Sequence, residues 1–269
     1  VYGDGYPVGP DDAVLLLSHS GARRYSKAAL ERAAASGAAV FSVGGQSAEH
    51  PGSGLVLRTT EQEQSATFTS SHLTAMTVLA QIAAGAAETA RDARQAEHEA
   101  AVDRLPDQVA ALLGREAELL SLAQRCVGRH TYVVGAGPSE VAALEAVIKC
   151  REAAHVRIDA LALEQFIHGP MICVQPDDPV ILLGVEGASH ARTAEVAALF
   201  GTLGAEVFSV GSTSEGFAVP TTLEWLSPIL TTVPMQMLAH HLAALQGINP
   251  DTFRTHEPRF KEGIRALDL

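Results

Sequence analysis

The stretch DDAVLLLSHSGARRYSKAALERAAASGAAVFSVGG (residues 11–45) decides the fold, because a second version occurs later in the chain. That version is DPVILLGVEGASHARTAEVAALFGTLGAEVFSVGS (residues 178–212). Each copy starts with a short apolar run, typical of a strand buried on both faces. A helical Ala/Leu-rich stretch follows, ended by Gly37 in one copy and Gly204 in the other, and a second apolar run closes the copy. Strand, helix and strand joined by short turns form the unit of a parallel sheet, so the sequence predicts two α/β domains in tandem.

The two copies differ in what precedes them. Ahead of the second copy, TYVVGAG (residues 131–137) is an apolar strand that runs into a glycine-rich turn, followed by a long helical stretch at 139–154 and an apolar stretch at 156–163. The first copy has only residues 1–11 before Asp12. We therefore expect the first domain to be N-terminally truncated by a strand and a helix. A genuinely smaller first domain is the alternative.

The predicted architecture is two flavodoxin-like, three-layer α/β/α domains with parallel sheets, separated by a connector. Residues 83–125 are rich in Ala, Glu and Arg, and they predict two surface helices broken at Leu105–Pro106 with a solvated charged face. The predicted organisation is a first domain at 1–82, a helical connector at 83–126, a second domain at 127–248 and a C-terminal tail at 249–269.

Composition limits the class of protein. The chain has 269 residues, of which 47% are hydrophobic, enough for one large or two modest cores. A net charge of −12 argues against a nucleic-acid partner, which requires clustered Lys and Arg. No apolar run has the length of a membrane span, and no signal peptide is visible, so we expect no membrane partner. The three cysteines lack metal-type spacing, which predicts small buried side chains in a cytoplasmic protein without a metal or other cofactor.

The loop SHSG (residues 18–21) is the first candidate site. It follows a predicted strand and precedes a predicted helix, the position at which open α/β sheets bind ligands. The hydroxyls and backbone N–H groups of Ser18, His19 and Ser20 predict a phosphate-binding loop at a helix N-terminus. The matching loop of the second copy, GVEG (residues 184–187), has no hydroxyl and carries an acid, which would repel phosphate. The alternative is that the two serines only cap the helix.

The second candidate cluster is Lys149 with Glu152, followed sixteen residues later by His168 in a His-Gly-Pro sequence. Lys149 and Glu152 are three residues apart, so they share one face of the predicted helix. An ordinary solvated ion pair and a loop histidine are the alternative interpretation. The chain holds only three lysines among its nineteen basic residues. A lysine retained under that bias favours a role that arginine performs poorly, such as losing a proton.

At these residues the chain resembles the sugar-isomerase (SIS) domains in the isomerase half of glucosamine-6-phosphate synthase. YVVGAGPSEVAALEAVIKCREAAHVRIDALALEQFIHGP (residues 132–170) is similar to the second such domain, with its Lys-x-x-Glu and His-Gly-Pro motifs. SHSG resembles the Ser-Gln-Ser-Gly phosphate loop of that family. LSPILTTVPMQMLAHHLAALQGINPD (residues 226–251) is similar to its last helix and the exit into its tail.

The departures from the family pattern limit what the resemblance implies. The sequence contains no glutaminase domain, so transfer of a glutamine amide by this chain alone is not expected. Arg23 stands near the place of a phosphate-loop threonine and is a further candidate phosphate ligand. Glu63 keeps a family glutamate, whereas Phe68 replaces a serine, which predicts a different sugar pocket. Lys261 is the one candidate for the tail lysine that opens the sugar ring, with a surface residue as the alternative.

The resemblance implies interconversion of a phosphosugar through an enediol or enediolamine. Glu152 is the implied base, Lys149 stabilises the oxyanion, and His168 assists ring opening. In the resembling enzymes the histidine comes from the partner subunit, which implies a homodimer with His168 acting across the interface. The expected partner is a small sugar phosphate.

The predicted activity is therefore that of an aldose–ketose isomerase or an amino-sugar-phosphate deaminase or deglycase. The alternative from another class is a catalytically silent sensor that binds a sugar phosphate and serves as a regulator.

Overall fold

The computed structural model describes residues 7–21, 23–212 and 216–266. The chain divides into two compact units. The first comprises Val1–Gln64 and Phe68–Ala90, and the second comprises Ser65–Thr67 and Arg91–Leu269. Each unit contains its own parallel sheet.

The first unit is built on a three-stranded sheet with the order β1-β2-β3. All strands are parallel, with Ala13 opposite Ala39 and Phe41 opposite Leu55. The elements in chain order are β1 (Ala13–Leu17), α1 (Arg24–Ser36), β2 (Ala39–Gly44), β3 (Leu55–Arg58) and α2 (Ser70–Thr89).

The second unit starts with three helices, α3 (Gln95–Asp103), α4 (Leu105–Leu113) and α5 (Leu120–Cys126). Its sheet has five parallel strands in the order β5-β4-β6-β7-β8. The elements that follow are β4 (Thr131–Gly135), α6 (Ser139–Ala154), β5 (Ile158–Ala162), α7 (Leu163–Ile167), β6 (Pro179–Gly184), α8 (His190–Thr202), β7 (Glu206–Gly211), β8 (Phe217–Ala218), α9 (Ser227–Leu245) and α10 (Pro258–Ala266).

The strand–helix–strand units predicted from the repeated stretch are confirmed. The order β1-α1-β2-β3 in the first unit matches β6-α8-β7-β8 in the second, and the strands pair in parallel in both. The units differ at the other edge of the sheet. In the second unit β6 also pairs with β4, whereas β1 forms the edge of its sheet.

In the described part of the first unit, the two faces of the sheet are covered unequally. On one face of the sheet, Val14, Leu16 and Val40 pack against Leu30 and Ala33 of α1. On the other face, large apolar side chains are 38–50% exposed, namely Leu15, Leu17, Phe41 and Leu55. In the second unit α6, which precedes β6 in the chain, packs against β4, β5 and β6. Residues 7–12, which precede β1, form no helix.

The connector predicted at 83–126 is not a pair of surface helices. Helix α2 continues to Thr89, so the predicted boundary after residue 82 falls inside it. Helices α4 and α5 pack against α9. Leu105 and Leu112 of α4 are seven residues apart, so they lie on nearly the same side of that helix, and both are buried. Leu122 of α5 is buried as well. Pro106 lies in the first turn of α4, where it is compatible with a helix start.

The core of the second unit contains three aromatic rings in series. The ring centroid of Phe166 lies 5.1 Å from that of Tyr132 and 5.2 Å from that of Phe200. Phe166 and Phe200 have no exposed surface, and they pack with the apolar side chains of β4 and β6. Phe166 therefore connects α7 to the sheet and to α8.

Truncating Phe166 tests this assignment. We expect Phe166→Ala to lower the free energy of unfolding by about 3–5 kcal/mol, because it leaves a cavity and removes two ring contacts. Urea unfolding followed by circular dichroism measures the change. The matched control is Ile172→Ala, since Ile172 is 81% exposed in the same unit. Equal losses in the two variants would contradict the assignment.

Candidate functional site

The first candidate site is the loop of residues 18–21 between β1 and α1. The Ser18 N–H donates to the Val43 carbonyl at 2.9 Å, which continues the sheet into the loop. Within the described part of the chain, no oxygen accepts a hydrogen bond from the N–H groups of His19 and Ser20. Backbone N–H groups without an internal acceptor can bind an anion. The local geometry therefore fits a phosphate-binding loop.

The serines are not helix caps. The N-cap of α1 is Arg23, which is exposed, and its N–H donates to the Ser26 hydroxyl at 2.8 Å. The Ser18 hydroxyl instead donates to the Gly21 carbonyl at 2.6 Å and closes the turn. Ser20 is half-buried. The backbone N–H groups are thus better placed to bind an anion than the Ser18 hydroxyl, which must rotate before it can donate.

His19 lies against two side chains from the loop after β3. Its Nδ1 is 3.4 Å from the Thr59 hydroxyl, and its ring meets the Phe68 ring edge-on with a centroid distance of 5.6 Å. Nε2 of His19 is buried and has no hydrogen-bond partner among the described residues. Phe68 therefore contributes an apolar ring beside the loop.

Glu63 has a structural role that the sequence analysis missed. Its carboxylate accepts the backbone N–H groups of Thr69, Ser70 and Ser71 at 2.9–3.1 Å, at the start of α2. The hydroxyls of Thr69 and Ser71 donate to it as well. Partial burial works to raise the pKa of Glu63, but the hydrogen bonds from Ser71, Thr69 and Ser70 prevail and lower it to about 2. Glu63 caps this helix.

Replacing Glu63 tests the cap. We expect Glu63→Gln to destabilise the first unit by about 1–2 kcal/mol at pH 7. Because the folded pKa lies below the ordinary value of 4.5, this stabilisation is complete above pH 4.5 and is lost as the pH falls towards 2. The difference between wild type and variant should therefore shrink over that range. Amide exchange at residues 69–71 and urea unfolding at several pH values measure it.

The control is Glu88→Gln in the last turn of the same helix. A carboxylate there faces the negative end of the helix dipole, so its loss should be neutral or slightly stabilising. A pH-independent difference between wild type and Glu63→Gln would contradict the cap assignment.

The second candidate site is a buried ion-pair cluster on α6. Nζ of Lys149 lies 2.8 Å from Oε2 of Glu152 and 3.6 Å from Oε1 of Glu145. Lys149 and Glu145 are 6% and 5% exposed, whereas the side chain of Glu152 is 31% exposed. A solvated surface pair, the alternative from the sequence, does not describe this lysine. The accessible carboxylate of the cluster is that of Glu152.

Glu145 is the member of the cluster that sequence reasoning missed. Burial raises the pKa of its carboxyl to about 7, although the Lys149 ammonium acts in the opposite direction. The Gln236 amide on α9 also hydrogen bonds to this carboxyl. The signal in the sequence was the spacing of four residues between Glu145 and Lys149, but only the packing of α6 against α9 shows that both are buried.

His168 and Lys261 are not joined to this cluster. The side chain of His168 is 76% exposed at the end of α7, and its Nε2 lies 3.4 Å from Oε2 of Glu164. Lys261 is exposed on α10, which has no buried residue. Among the described residues, neither forms an ion pair with Glu152.

The cysteines match their predicted role only in part. Cys126 and Cys150 are buried, and burial raises the pKa of both thiols, that of Cys126 to about 11. Cys173 is exposed, contrary to the prediction, because it ends a 3₁₀ turn (Pro170–Cys173) without buried residues. In the described ranges, no group of three His, Cys, Asp or Glu side chains could hold a metal ion. None of the helices described has both the length and the apolar character needed to cross a membrane.

The loop of the second unit that matches residues 18–21 is occupied by the chain itself. The Ala188 N–H donates to Oε2 of Glu224 at 3.3 Å, and the Glu186 N–H donates to the Ser212 hydroxyl at 3.1 Å. Gly187 permits this approach, since a Cβ there would lie 2.2 Å from the Glu224 carboxyl carbon. The Glu224 carboxylate of the chain thus accepts a backbone hydrogen bond that a bound anion would otherwise accept in this loop.

No family model matches the chain. Among curated proteins it is similar to glutamine–fructose-6-phosphate aminotransferases (isomerizing), including those of two bacteria. The protein of Bacteroides thetaiotaomicron is 26% identical over 258 residues, 89% of this chain and 42% of the relative. That of Xylella fastidiosa is 31% identical over 68% of this chain and 32% of the relative. The chain thus spans less than half the length of these relatives.

Solved structures with a similar fold include the C-terminal domain of glucosamine-fructose-6-phosphate aminotransferase from Francisella tularensis. It aligns with a TM-score of 0.82 at 16% identity, covering 93% of this chain and 75% of that one. Glucosamine-6-phosphate deaminase from Thermotoga maritima aligns with a TM-score of 0.68 at 19% identity, covering 91% of this chain and 74% of that one. Tagatose-6-phosphate ketose/aldose isomerase from Escherichia coli aligns with a TM-score of 0.70 at 18% identity, covering 91% of this chain and 72% of that one. The chain has the α/β fold of sugar-isomerase domains.

Proposed function

We propose that the chain is a phosphosugar-processing enzyme that acts through an enediol or enediolamine. The observation that carries the proposal is the buried Lys149 ammonium, paired at 2.8 Å with the more accessible Glu152 carboxylate. The relatives named above support it, because their names describe reactions of fructose, glucosamine or tagatose phosphates. The second support is the loop of residues 18–21, whose free N–H groups fit a phosphate.

Glu152 is proposed as the base that moves a proton between C1 and C2. A carboxylate removes the proton from the carbon next to the carbonyl, and the carbonyl oxygen gains negative charge. The same carboxyl then returns the proton to the former carbonyl carbon, while the hydroxyl proton of the first carbon passes to the charged oxygen, so that the carbonyl moves from one carbon to the other. Lys149 is proposed to donate to that oxygen while it carries the charge, since a buried donor stabilises an oxyanion more strongly than one in water. Ser18, His19, Ser20 and Arg23 are the proposed phosphate ligands.

Glu145 is proposed to position Lys149. With a pKa of about 7, Glu145 is mostly protonated in weakly acidic solution, so Lys149 is then paired with Glu152 alone. Once Glu145 ionises, the ammonium is shared between two carboxylates. The attraction between the Lys149 ammonium and a negatively charged substrate oxygen is therefore strongest while Glu145 is protonated.

The choice between isomerase and deaminase or deglycase depends on the leaving group. In an isomerase the carboxyl returns the proton to carbon and the reaction ends. In a deaminase or deglycase a water molecule also adds to the carbon that bears the nitrogen, the carbon–nitrogen bond breaks, and ammonia or an amine leaves. Both routes need the same base and the same oxyanion donor. The comparisons include proteins named for both kinds of reaction, so the proposal keeps both.

The catalytic prediction concerns Glu152. We expect Glu152→Gln to lower turnover by at least about a hundredfold, because the amide keeps the shape but cannot accept the proton. Binding of the sugar phosphate, measured by calorimetry, should change less than threefold. The assay follows isomerisation and amine release from fructose 6-phosphate, glucosamine 6-phosphate and fructosamine phosphates.

The matched control is Glu140→Gln, the same substitution near the start of the same helix, which should leave turnover unchanged. If the wild type binds a sugar phosphate and turns over none of these compounds, the sensor alternative replaces the enzyme. If Glu152→Gln retains full turnover, another residue is the base.

We also propose that the protein acts as a homodimer in which His168 assists ring opening in the partner's site. Its 76% exposed side chain, which points away from its own unit's core, supports that role. Lys261 remains a proposed ring-opening residue on α10. The similar strand order of the two units supports the further proposal that they are tandem copies of one domain.

Mixed dimers test the role of His168 across subunits. Dimers of Glu152→Gln with His168→Ala should regain up to half of the wild-type activity per dimer, because one of the two sites then has both groups. Differently tagged subunits allow such dimers to be purified and assayed. Inactive, verified mixed dimers would show that His168 and Glu152 act within one subunit.

A further inference from the structure

His50 is a buried histidine that contacts the loop of residues 18–21 from beneath. It is 6% exposed and lies six residues after β2. Its Nε2 is 3.0 Å from the carbonyl oxygen of Ser18, 32 residues away in sequence. A carbonyl oxygen can only accept a hydrogen bond, so the geometry assigns the ring proton to Nε2.

The contact from His50 belongs to a set that turns the loop carbonyls inward. The Ser18 carbonyl also accepts the Gly21 N–H at 3.2 Å, and the His19 carbonyl accepts the Gly45 N–H at 2.9 Å. The Gly21 carbonyl accepts the Ser18 hydroxyl at 2.6 Å. A carbonyl facing outward would repel an anion. With these carbonyls held inside, the N–H groups of His19 and Ser20 are left for a ligand.

The segment that carries His50 is itself fixed. Nη1 of Arg58, the last residue of β3, donates to the carbonyls of Gly45 at 2.8 Å and Ala48 at 2.6 Å. Gly44 lets the imidazole approach, since a Cβ at that position would lie 2.2 Å from Cε1 of His50. The position of the imidazole ring relative to the loop is therefore fixed, and its Nε2–H donates to the Ser18 carbonyl.

We propose that His50 is a positioning residue that keeps the loop of residues 18–21 in its anion-binding conformation, for a phosphate monoester or inorganic phosphate. The inference rests on the proposed function, because it requires that this loop binds phosphate. His50 does not touch the ligand and acts through the Ser18 carbonyl. It connects the end of β3, through Arg58 and the segment after β2, to the phosphate loop.

The test measures binding of inorganic phosphate and of fructose 6-phosphate by calorimetry. His50→Phe keeps a ring but removes the donor, and we expect it to weaken both ligands about five- to tenfold, the value of one hydrogen bond. His50→Gln places a new N–H near the position of Nε2 and should restore affinity to within about twofold of wild type. His240→Gln, on an exposed side chain of α9, is the matched control and should bind as the wild type does.

A second readout separates positioning from general stability. Amide exchange at Gly21 and Gly45 should accelerate in His50→Phe and not in His50→Gln, while exchange in α1 stays unchanged. In any substrate that turns over, KM should rise and kcat should stay the same.

The outcomes distinguish the two proposals. If wild-type protein binds neither ligand, the phosphate loop, and with it the proposed function, is wrong. If wild type binds and His50→Phe binds equally well, the positioning role is overturned. Equal weakening in His50→Phe and His50→Gln would also overturn it, because the ring and not its N–H would then matter.

Discussion

The burial of the Lys149 ammonium between α6 and α9 is the constraint on which the second unit depends. A charged side chain is stable in a protein interior only when it is paired and hydrogen-bonded. The cluster supplies Glu152 at 2.8 Å and Glu145 at 3.6 Å. The close packing that buries it comes from small residues, because Ala142, Ala146 and Ala153 of α6 have almost no exposed surface. The stability of this helix pair and the chemistry of the cluster therefore have the same origin.

The loops at residues 18–21 and 184–187 follow equivalent strands of the two units, but they differ in whether their backbone N–H groups are already hydrogen-bonded to side chains of the chain. In both, a parallel strand ends in a glycine-containing turn before a helix, which leaves backbone N–H groups without partners in a helix. At residues 18–21 the carbonyls of Ser18, His19 and Gly21 accept hydrogen bonds, and the N–H groups of His19 and Ser20 have no acceptor among the described residues. At residues 184–188 the Glu224 carboxylate and the Ser212 hydroxyl accept those protons. Chemical specificity here follows from a few side chains and not from the sheet.

The sequence predicted what is local and periodic. Apolar runs bounded by glycines gave the strands of both units, and the three-residue spacing placed Lys149 beside Glu152. Glu63 and Glu145 also left local signals, namely a Thr-Ser-Ser start of a helix and a four-residue spacing. The His50 contact joins residues 32 apart, so no periodicity could reveal it. The connector was misjudged because its acidic and basic residues outnumber the leucines that pack against α9.

The protonation of Glu145 couples the stability of the second unit to its proposed chemistry. Because burial raises the pKa of Glu145 to about 7, the stability associated with its protonated form is complete below pH 4.5 and is lost as the pH rises through 7. In that protonated form the cluster of Glu145, Lys149 and Glu152 is neutral overall. Ionisation of Glu145 makes the cluster net negative, beside the place where a substrate oxygen would gain negative charge. Protonation of Glu145 thus stabilises the folded pair of α6 and α9, and it also stabilises the proposed oxyanion next to Lys149. Both effects are present in acidic to neutral solution.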